Sequence, residues 1–181
     1  MLLKKYLEKL DRSYSKHKFR KVSCNSKKIK NGDVFFAING HINNGNLFIN
    51  DAIKNGAKTI ISDNNFSGYK NDVLFIKNKN PRKLLSNLIN KIHPKKPKNL
   101  IAITGTNGKS SIANFYYQIL KLNNLKVASI GTLGVQTNFK KYTTENTTSD
   151  PIIINKILNK IKSQKINNVI LEASSHGLKQ H

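Results

Sequence analysis

The sequence predicts an α/β fold class: a small N-terminal α/β domain over residues 1–96, followed by an incomplete parallel-sheet domain with a phosphate loop over residues 97–181. Three observations favour it. Short apolar runs alternate with stretches that have helical spacing. A proline- and lysine-rich run, HPKKPKN, interrupts this alternation once. A glycine turn, GTNGKS, joins an apolar run to a helix-like stretch.

The N-terminal domain begins with MLLKKYLEKLDRSY, where charges interrupt the apolar residues. We therefore expect an amphipathic helix there and no signal peptide. Further along, apolar runs predict strands, while helical spacing and the Asn80-Pro81 start signal predict helices. The expected strands are 19–23, 33–38, 57–62 and 72–76, and the expected helices lie at about 47–55 and from Pro81 onward, with a polar loop at 39–46.

Residues 93–99 are expected to be the linker, because two prolines among lysines cannot continue a helix and have no apolar surface to bury. Beyond the linker, strand and helix patterns alternate, which implies a parallel sheet. We expect a buried strand at 100–104, further strands at 126–130 and 168–172, helices at 109–122 and 151–163, and a loop over 131–150. Three strands and two helices leave apolar surface uncovered, so the chain is expected to stop inside a domain.

The chain is strongly basic, with 32 Lys and Arg against 9 Asp and Glu and a net charge of +23. Such a charge is typical of proteins that bind nucleic acid or anionic membranes. However, only Arg12, Arg20 and Arg82 are arginines, the residue best suited to recognising bases and phosphates. We therefore expect no nucleic-acid partner and interpret the lysines as a solubilising surface that attracts anionic substrates. A basic nucleic-acid-binding ATPase stays open as an alternative interpretation.

The single cysteine, Cys24, excludes an internal disulfide, which fits a reducing compartment. No segment approaches the roughly 18 consecutive apolar residues that a membrane span requires. We expect a cytoplasmic monomer with no membrane partner.

The stretch IAITGTNGKSS at 101–111 predicts a phosphate loop, although Ile103 stands where the usual G-x-x-x-x-G-K-[ST] pattern has its first glycine. The context is the required one, since a strand, a tight turn and a helix N-terminus follow each other. Lys109 can reach the β- and γ-phosphates of ATP, and the hydroxyl of Ser110 can ligate Mg²⁺. The ATP-binding residues predicted from this stretch are Gly105, Thr106, Asn107, Gly108, Lys109, Ser110 and Ser111.

Glu172 and Lys109 are the two predicted catalytic residues, and Glu172 supplies the carboxylate. It follows the apolar run Val169-Ile170-Leu171, so it lies at the C-terminal end of a predicted strand, at the edge where parallel sheets bind ligands. A hard, oxygen-ligated Mg²⁺ between Ser110 and Glu172 is chemically reasonable.

GTNGKS is also the form that this loop takes in the Mur ligases and their folylpolyglutamate synthetase relatives, and the sequence resembles that family elsewhere. Residues 144–148 (TENTT) look like a substrate-binding loop. Residues 172–178 (EASSHGL), with Gln180 and His181, resemble the signature E-V-S-S-H-G-L-x-Q-H, with alanine for valine.

Two N-terminal stretches extend this resemblance over nearly the whole chain. Ser26 and the run GDVF at 32–35 resemble a D-S-R…G-D-L-F block, from which Asn25 and Lys27 depart. Gly40-His41, followed by Gly45, fits the uridine-binding loop of the same domain.

The resemblance implies ATP-driven amide formation in peptidoglycan synthesis, with ATP and Mg²⁺ as cofactors. The branch of the family that these motifs resemble adds diaminopimelate or lysine to UDP-N-acetylmuramoyl-L-alanyl-D-glutamate through an acyl phosphate. The substrate-binding residues that it implies are Cys24, Ser26, His41, Ile42, Asn43, Asn146, Thr147, Thr148, Ser174 and Gln180.

Two other interpretations stay open. One is a folylpolyglutamate synthetase-like ligase, against which the TENTT and SSHGL stretches argue. The other is a non-catalytic fragment that binds nucleotide or UDP-sugar, because the family's amino-acid-binding domain is expected beyond His181. We accordingly expect no ligase activity from the 181 residues alone.

Overall fold

The computed structural model describes residues 1–7, 10–40, 44–142 and 150–173. The chain divides into two compact units, Met1–Ile92 and His93–His181, each built on a mixed sheet of five strands. The predicted α/β fold class with parallel sheets is confirmed.

The sheet of the first unit has the strand order β1-β2-β3-β5-β4. Its first four strands in that order are mutually parallel, and β4 pairs antiparallel with β5 at one edge. The turn between β4 and β5 contains Asn71 and Asp72, both with positive φ, which suits a two-residue hairpin. The strands are β1 (Val22–Ser23), β2 (Asp33–Phe36), β3 (Ala57–Ser62), β4 (Gly68–Lys70) and β5 (Val73–Lys77).

Two helices accompany this sheet, α1 (Ile49–Lys54) and α2 (Pro81–Ile92). A 3₁₀ turn at Gly45–Phe48 precedes α1. The predicted helix at 47–55 therefore becomes α-helical only at Ile49. Further 3₁₀ turns lie at Leu3–Lys5, Arg12–Tyr14 and Ser26–Lys28. One hydrophobic cluster packs α1 against strands β2, β3 and β5. It contains Ile29, Phe35, Ala37, Ala52, Ala57, Ile60 and Val73.

The predicted amphipathic helix at the N-terminus is wrong for the residues that the structure describes there. Among them only Leu3–Lys5 and Arg12–Tyr14 are helical, each as a short 3₁₀ turn. Leu2 instead forms an antiparallel bridge with Lys18, and the N–H of Leu3 donates to the carbonyl of His17 at 2.9 Å. The same pairing occupies Phe19, whose N–H donates to Met1, and the predicted strand 19–23 therefore keeps only Val22–Ser23 in the sheet.

The sheet of the second unit has the order β6-β10-β7-β8-β9. Its first three strands in that order are parallel, as predicted, whereas β7, β8 and β9 are antiparallel. The predicted loop at 131–150 is wrong over 134–142, because Gly131 pairs with Gly134 and reverses the chain back onto β7. The strands are β6 (Asn99–Ile103), β7 (Val127–Gly131), β8 (Gly134–Thr137), β9 (Lys141–Tyr142) and β10 (Asn168–Glu172).

Helices α3 (Lys109–Leu122) and α4 (Pro151–Ser163) belong to this unit. Asp150 caps α4 by accepting from the N–H of Ile152 at 2.8 Å, with proline at the first helical position. A buried cluster joins α4 to the sheet and contains Ala128, Ile130, Val135, Ile157, Leu158, Ile161, Ile166 and Val169. None of the helices described is both long and apolar enough to cross a membrane.

The predicted burial of the strand at 100–104 is wrong. β6 lies at the edge of its sheet and pairs only with β10, and Leu100 and Ile101 are each 43% exposed. Helix α3 likewise carries an exposed apolar stripe of Ile112, Phe115, Ile119 and Leu122. The expectation that this unit exposes apolar surface agrees with both observations.

Candidate nucleotide site

The predicted phosphate loop lies between the end of β6 at Ile103 and the start of α3 at Lys109. Gly108 precedes the helix with a φ of 78°, a left-handed conformation that glycine adopts without strain. No side chain caps this helix, and its first turn holds no acidic residue. The first backbone N–H groups of α3 therefore stay available to an anion, and the helix dipole favours negative charge there.

The side chain of Lys109 folds back over this loop. Its Nζ donates to the carbonyl oxygens of Gly105 at 2.5 Å and Thr106 at 3.2 Å. These carbonyls hold the ammonium group at the turn, where a phosphate bound to the helix N-terminus would meet it.

Glu172 and Ser110 meet at the same edge of the sheet. Glu172 ends β10, which lies between β6 and β7, and its side chain is only 4% exposed. The hydroxyl of Ser110, on the first turn of α3, donates to Oε2 of Glu172 at 2.9 Å. The structure thus joins the two residues that the sequence predicted as metal ligands.

Thr132 is a third oxygen donor at this point, and sequence reasoning missed it. Its Oγ1 lies 3.4 Å from Oε2 of Glu172 and 3.3 Å from Oγ of Ser110. The residue follows β7, the strand beside β10. The sheet-edge argument that selected Glu172 applies equally to a hydroxyl directly after β7.

Gly131, the last residue of β7, is in close contact with the same carboxylate. A Cβ built at Gly131 would lie 2.0 Å from Oε1 of Glu172, 2.3 Å from its Cδ and 2.7 Å from its Cγ. The glycine therefore makes the space that the Glu172 side chain occupies.

A small polar cavity adjoins these groups. Its volume of about 20 Å³ is enough for one water or one small ion. The residues that line it are Ser110, Asn114, Ser129, Gly131, Leu133, Gly134, Gln136 and Glu172.

The donor set fits a magnesium ion. Ser110, Thr132 and Glu172 offer hydroxyl and carboxylate oxygens, the ligands that hard cations prefer. Within the described ranges no group of three or more His, Cys, Asp or Glu could form a complete protein cage. Mg²⁺ is commonly held by one or two carboxylates together with substrate phosphates and water.

In the first unit, two predicted substrate-binding residues lie directly after β1. Cys24 is exposed, and Ser26 is buried at the start of a 3₁₀ turn. Asn25 caps this turn by accepting from the N–H of Lys27 at 2.9 Å. The carbonyl of Ser26 accepts from Nδ2 of Asn55 at 3.0 Å, which anchors the turn to the end of α1.

A carboxylate that the sequence did not single out organises the neighbouring edge of that sheet. Asp63, directly after β3, accepts from Nδ2 of Asn39 and from Nδ2 of Asn46, each at 2.8 Å. The two asparagines lie on either side of the predicted uridine-binding loop. Eight predicted substrate-binding residues lie outside the described residues: His41, Ile42, Asn43, Asn146, Thr147, Thr148, Ser174 and Gln180.

Two family models match the chain. The model described as Mur ligase family, catalytic domain, matches residues 18–93, and the Mur ligase middle domain matches residues 103–181. Together they include both predicted nucleotide-binding regions.

Two curated relatives from different organisms share the name UDP-N-acetylmuramoyl-L-alanyl-D-glutamate–2,6-diaminopimelate ligase. That of Rickettsia montanensis is 42% identical over 175 residues, which is 94% of this chain and 36% of the relative. That of Wigglesworthia glossinidia brevipalpis is 39% identical, over 99% of this chain and 38% of the relative. The chain thus spans little more than a third of the length of these relatives.

Solved structures agree. A ligase of the same name superposes with a TM-score of 0.79 at 26% identity, over 99% of this chain and 37% of that one. The MurF ligase from Thermotoga maritima in complex with ADP matches with a TM-score of 0.54 at 21% identity, which indicates a shared fold.

Proposed function

Because this chain belongs to the Mur ligase family, we propose that it acts in ATP-dependent amide-bond formation, joining diaminopimelate to UDP-N-acetylmuramoyl-L-alanyl-D-glutamate in peptidoglycan synthesis. The proposal concerns the reaction of a complete ligase. The share of these 181 residues is to bind the two nucleotides. The names of the relatives favour diaminopimelate over lysine.

The observation that carries this proposal is the hydrogen bond between Ser110 and Glu172, residues 62 positions apart in the sequence. It unites a hydroxyl on the first turn after a phosphate loop with a buried carboxylate at the end of the adjacent strand. That pairing is what a Mg²⁺-dependent phosphoryl-transfer site requires.

Each residue of the site has a definite role in this proposal. The backbone N–H groups at the start of α3 and the ammonium of Lys109 bind the phosphates of ATP and offset their charge. Ser110 and Glu172 would hold Mg²⁺, which supplies further neutralisation of the phosphate charge when bound. Because Glu172 is buried and hydrogen-bonded, its carboxylate needs little reorganisation on binding.

The reaction itself consists of two displacements. A carboxylate oxygen of the D-glutamyl residue attacks the γ-phosphorus of ATP, and the bond to the bridging oxygen breaks with release of ADP. The amine of diaminopimelate then attacks the carbonyl carbon of the acyl phosphate, and phosphate leaves. The protein contributes mainly position and charge neutralisation to the first displacement.

The first unit is proposed to bind the uridine nucleotide of the other substrate. Cys24 and Ser26 follow strand β1 of a largely parallel sheet, at the edge where such sheets bind ligands. The resemblance adds His41, Ile42 and Asn43, which lie outside the described residues. Because ATP and a UDP-linked precursor are both cytoplasmic metabolites, we propose that the protein works in the cytoplasm.

Calorimetric titration of the purified 181-residue chain tests the proposal, with AMP-PNP in the presence and absence of Mg²⁺ and with UDP in a separate titration. We expect both nucleotides to bind and AMP-PNP to bind more tightly with Mg²⁺. Absence of binding by either nucleotide would contradict the assignment.

The same chain is then assayed for ligase turnover with all three substrates. Binding without turnover agrees with the share proposed here for these residues. A preference for a folate substrate over the UDP-muramyl dipeptide would favour the folylpolyglutamate synthetase-like alternative.

A further inference from the structure

Glu172 presents its two carboxylate oxygens to different neighbours. Oε1 lies against the backbone of Gly131, where a Cβ would be 2.0 Å away. Oε2 accepts from the hydroxyl of Ser110 at 2.9 Å and from that of Thr132 at 3.4 Å. The carboxylate therefore has neighbours in strand β7, in the turn that follows it and in helix α3.

The two hydroxyls can hold the carboxylate and still bind a cation. Each has a single proton to donate and two lone pairs. With both protons directed at Oε2, the lone pairs of Ser110 and Thr132 stay available to a hard cation. The oxygen atoms of the two hydroxyls are 3.3 Å apart, which lets one small ion contact both.

Thr132 is also accessible to solvent, and so to an ion. It is exposed, whereas Glu172 is buried beneath it. It occupies the turn between β7 and β8, so its position depends on the Gly131–Gly134 pairing and not on the phosphate loop. A hydroxyl supplied from a second element adds to the site without depending on α3.

We propose that Thr132 is a positioning residue for the cation site: it fixes the Glu172 carboxylate and completes a set of three oxygens with Ser110 for a hard divalent cation. This inference rests on the proposed function, because it names a further residue of the same Mg²⁺-nucleotide site. Its consequence is that removing the Thr132 hydroxyl weakens metal binding while metal-free nucleotide binding persists.

The test measures metal affinity directly with the 181-residue chain. Mg²⁺ is titrated calorimetrically into the chain saturated with AMP-PNP, and Mn²⁺ binding is followed by electron paramagnetic resonance. Thr132→Val keeps the side-chain shape without the hydroxyl, and we expect a metal affinity weaker by roughly three- to tenfold, the range for the loss of one ordinary hydrogen bond. Thr132→Ser restores the hydroxyl and is expected to restore the affinity.

Thr137→Val is the matched control in the same hairpin. The hydroxyl of Thr137 donates to the carbonyl of Lys140 at 3.1 Å, away from Glu172. We expect this variant to lower the melting temperature and to leave the metal affinity unchanged. Equal losses of metal affinity in Thr132→Val and Thr137→Val would overturn the inference, because both would then reflect a weakened hairpin.

The remaining outcomes separate this inference from the proposed function. If the wild-type chain binds AMP-PNP more tightly with Mg²⁺ and Thr132→Val does so equally, the inference is wrong and the proposed function stands. If wild-type binding of AMP-PNP is independent of metal, the proposed metal site fails, and the role of Thr132 fails with it.

Discussion

Ser110 at the start of α3 donates a 2.9 Å hydrogen bond to Glu172 at the end of β10, where only 4% of the glutamate is exposed. The two residues belong to different elements, and the parallel pairing of β10 with β6 brings them together. In that register Glu172 lies opposite Ile103, the last residue before the phosphate loop. A carboxylate and a hydroxyl thus lie next to the candidate phosphate site.

Replacing either partner should weaken magnesium-dependent nucleotide binding. We expect Ser110→Ala and Glu172→Gln each to lower the affinity for Mg²⁺·AMP-PNP about tenfold, because each removes an interaction with a charged group. The affinity is measured calorimetrically at several Mg²⁺ concentrations. Ser163→Ala, at the far end of α4, serves as the control. Unchanged Mg²⁺ dependence in both variants would contradict the metal assignment.

The lysine of the phosphate loop should govern stabilisation by nucleotide. A ligand at about 100 times its Kd stabilises a folded protein by about 2.7 kcal/mol, and we expect Lys109→Ala to lose this gain. The measurement is the shift in melting temperature on addition of ATP. Lys121→Ala, at the other end of α3, should keep the wild-type shift. A full shift in Lys109→Ala would mean that ATP binds elsewhere.

Gly131 should tolerate a side chain only when Glu172 is shortened. A Cβ at Gly131 would overlap Oε1 of Glu172, so we expect Gly131→Ala to destabilise the fold by about 1–3 kcal/mol, the usual cost of overpacking. In a Glu172→Ala background the same change should cost much less. Urea unfolding of the four proteins gives the coupling energy. Strictly additive effects would exclude the contact as the cause.

His17 should make the stability of the first unit dependent on pH. Its Nε2 lies 2.8 Å from Oγ1 of Thr59 and its Nδ1 3.0 Å from the hydroxyl of Tyr69. Burial lowers the pKa of His17 below its ordinary value of 6.5. The unfolded chain therefore binds the proton more readily than the folded one, so stability is full above pH 6.5 and falls as the pH drops through the folded pKa.

Melting curves recorded from about pH 8 to about pH 5 measure this effect, because histidine titrates in that range. We expect the wild-type melting temperature to fall more than that of His17→Gln, whose side chain does not titrate. His93, in the second unit, also has a lowered pKa because of burial and the nearby Lys96 and Lys156. His93→Gln therefore serves as the comparison for a histidine of the second unit. Identical pH profiles of the melting temperature for His17→Gln and the wild type would contradict the prediction.

Local signals in the sequence located most of the elements and the centre of the site. The linker prolines, the Asn80-Pro81 start of α2 and the Asp150-Pro151 start of α4 act within a few residues of themselves. The glycine turn before Lys109 is equally local. Such features depend on backbone dihedrals and capping, which neighbouring residues fix without help from the rest of the chain.

The hairpin over 134–142 and the exposure of β6 could not be predicted in this way. An apolar run such as LIAI indicates a strand, but whether the strand is buried depends on which other strands pair with it. The N-terminal segment likewise has a helical pattern, yet Leu2 pairs with Lys18 and the described residues of the segment form only two short 3₁₀ turns. In each case a long-range partner outweighed the local preference.

The sequence by itself determined the α/β class, the glycine turn before Lys109 and the position of Glu172 at the end of a strand. Only the tertiary structure decided that Thr132 and Gly131 meet the same carboxylate, and that Asp63 joins Asn39 to Asn46. The physical reason is distance along the chain. Local order follows from residues a few positions apart, whereas a binding site depends on the sheet register that brings the ends of separate strands to one edge.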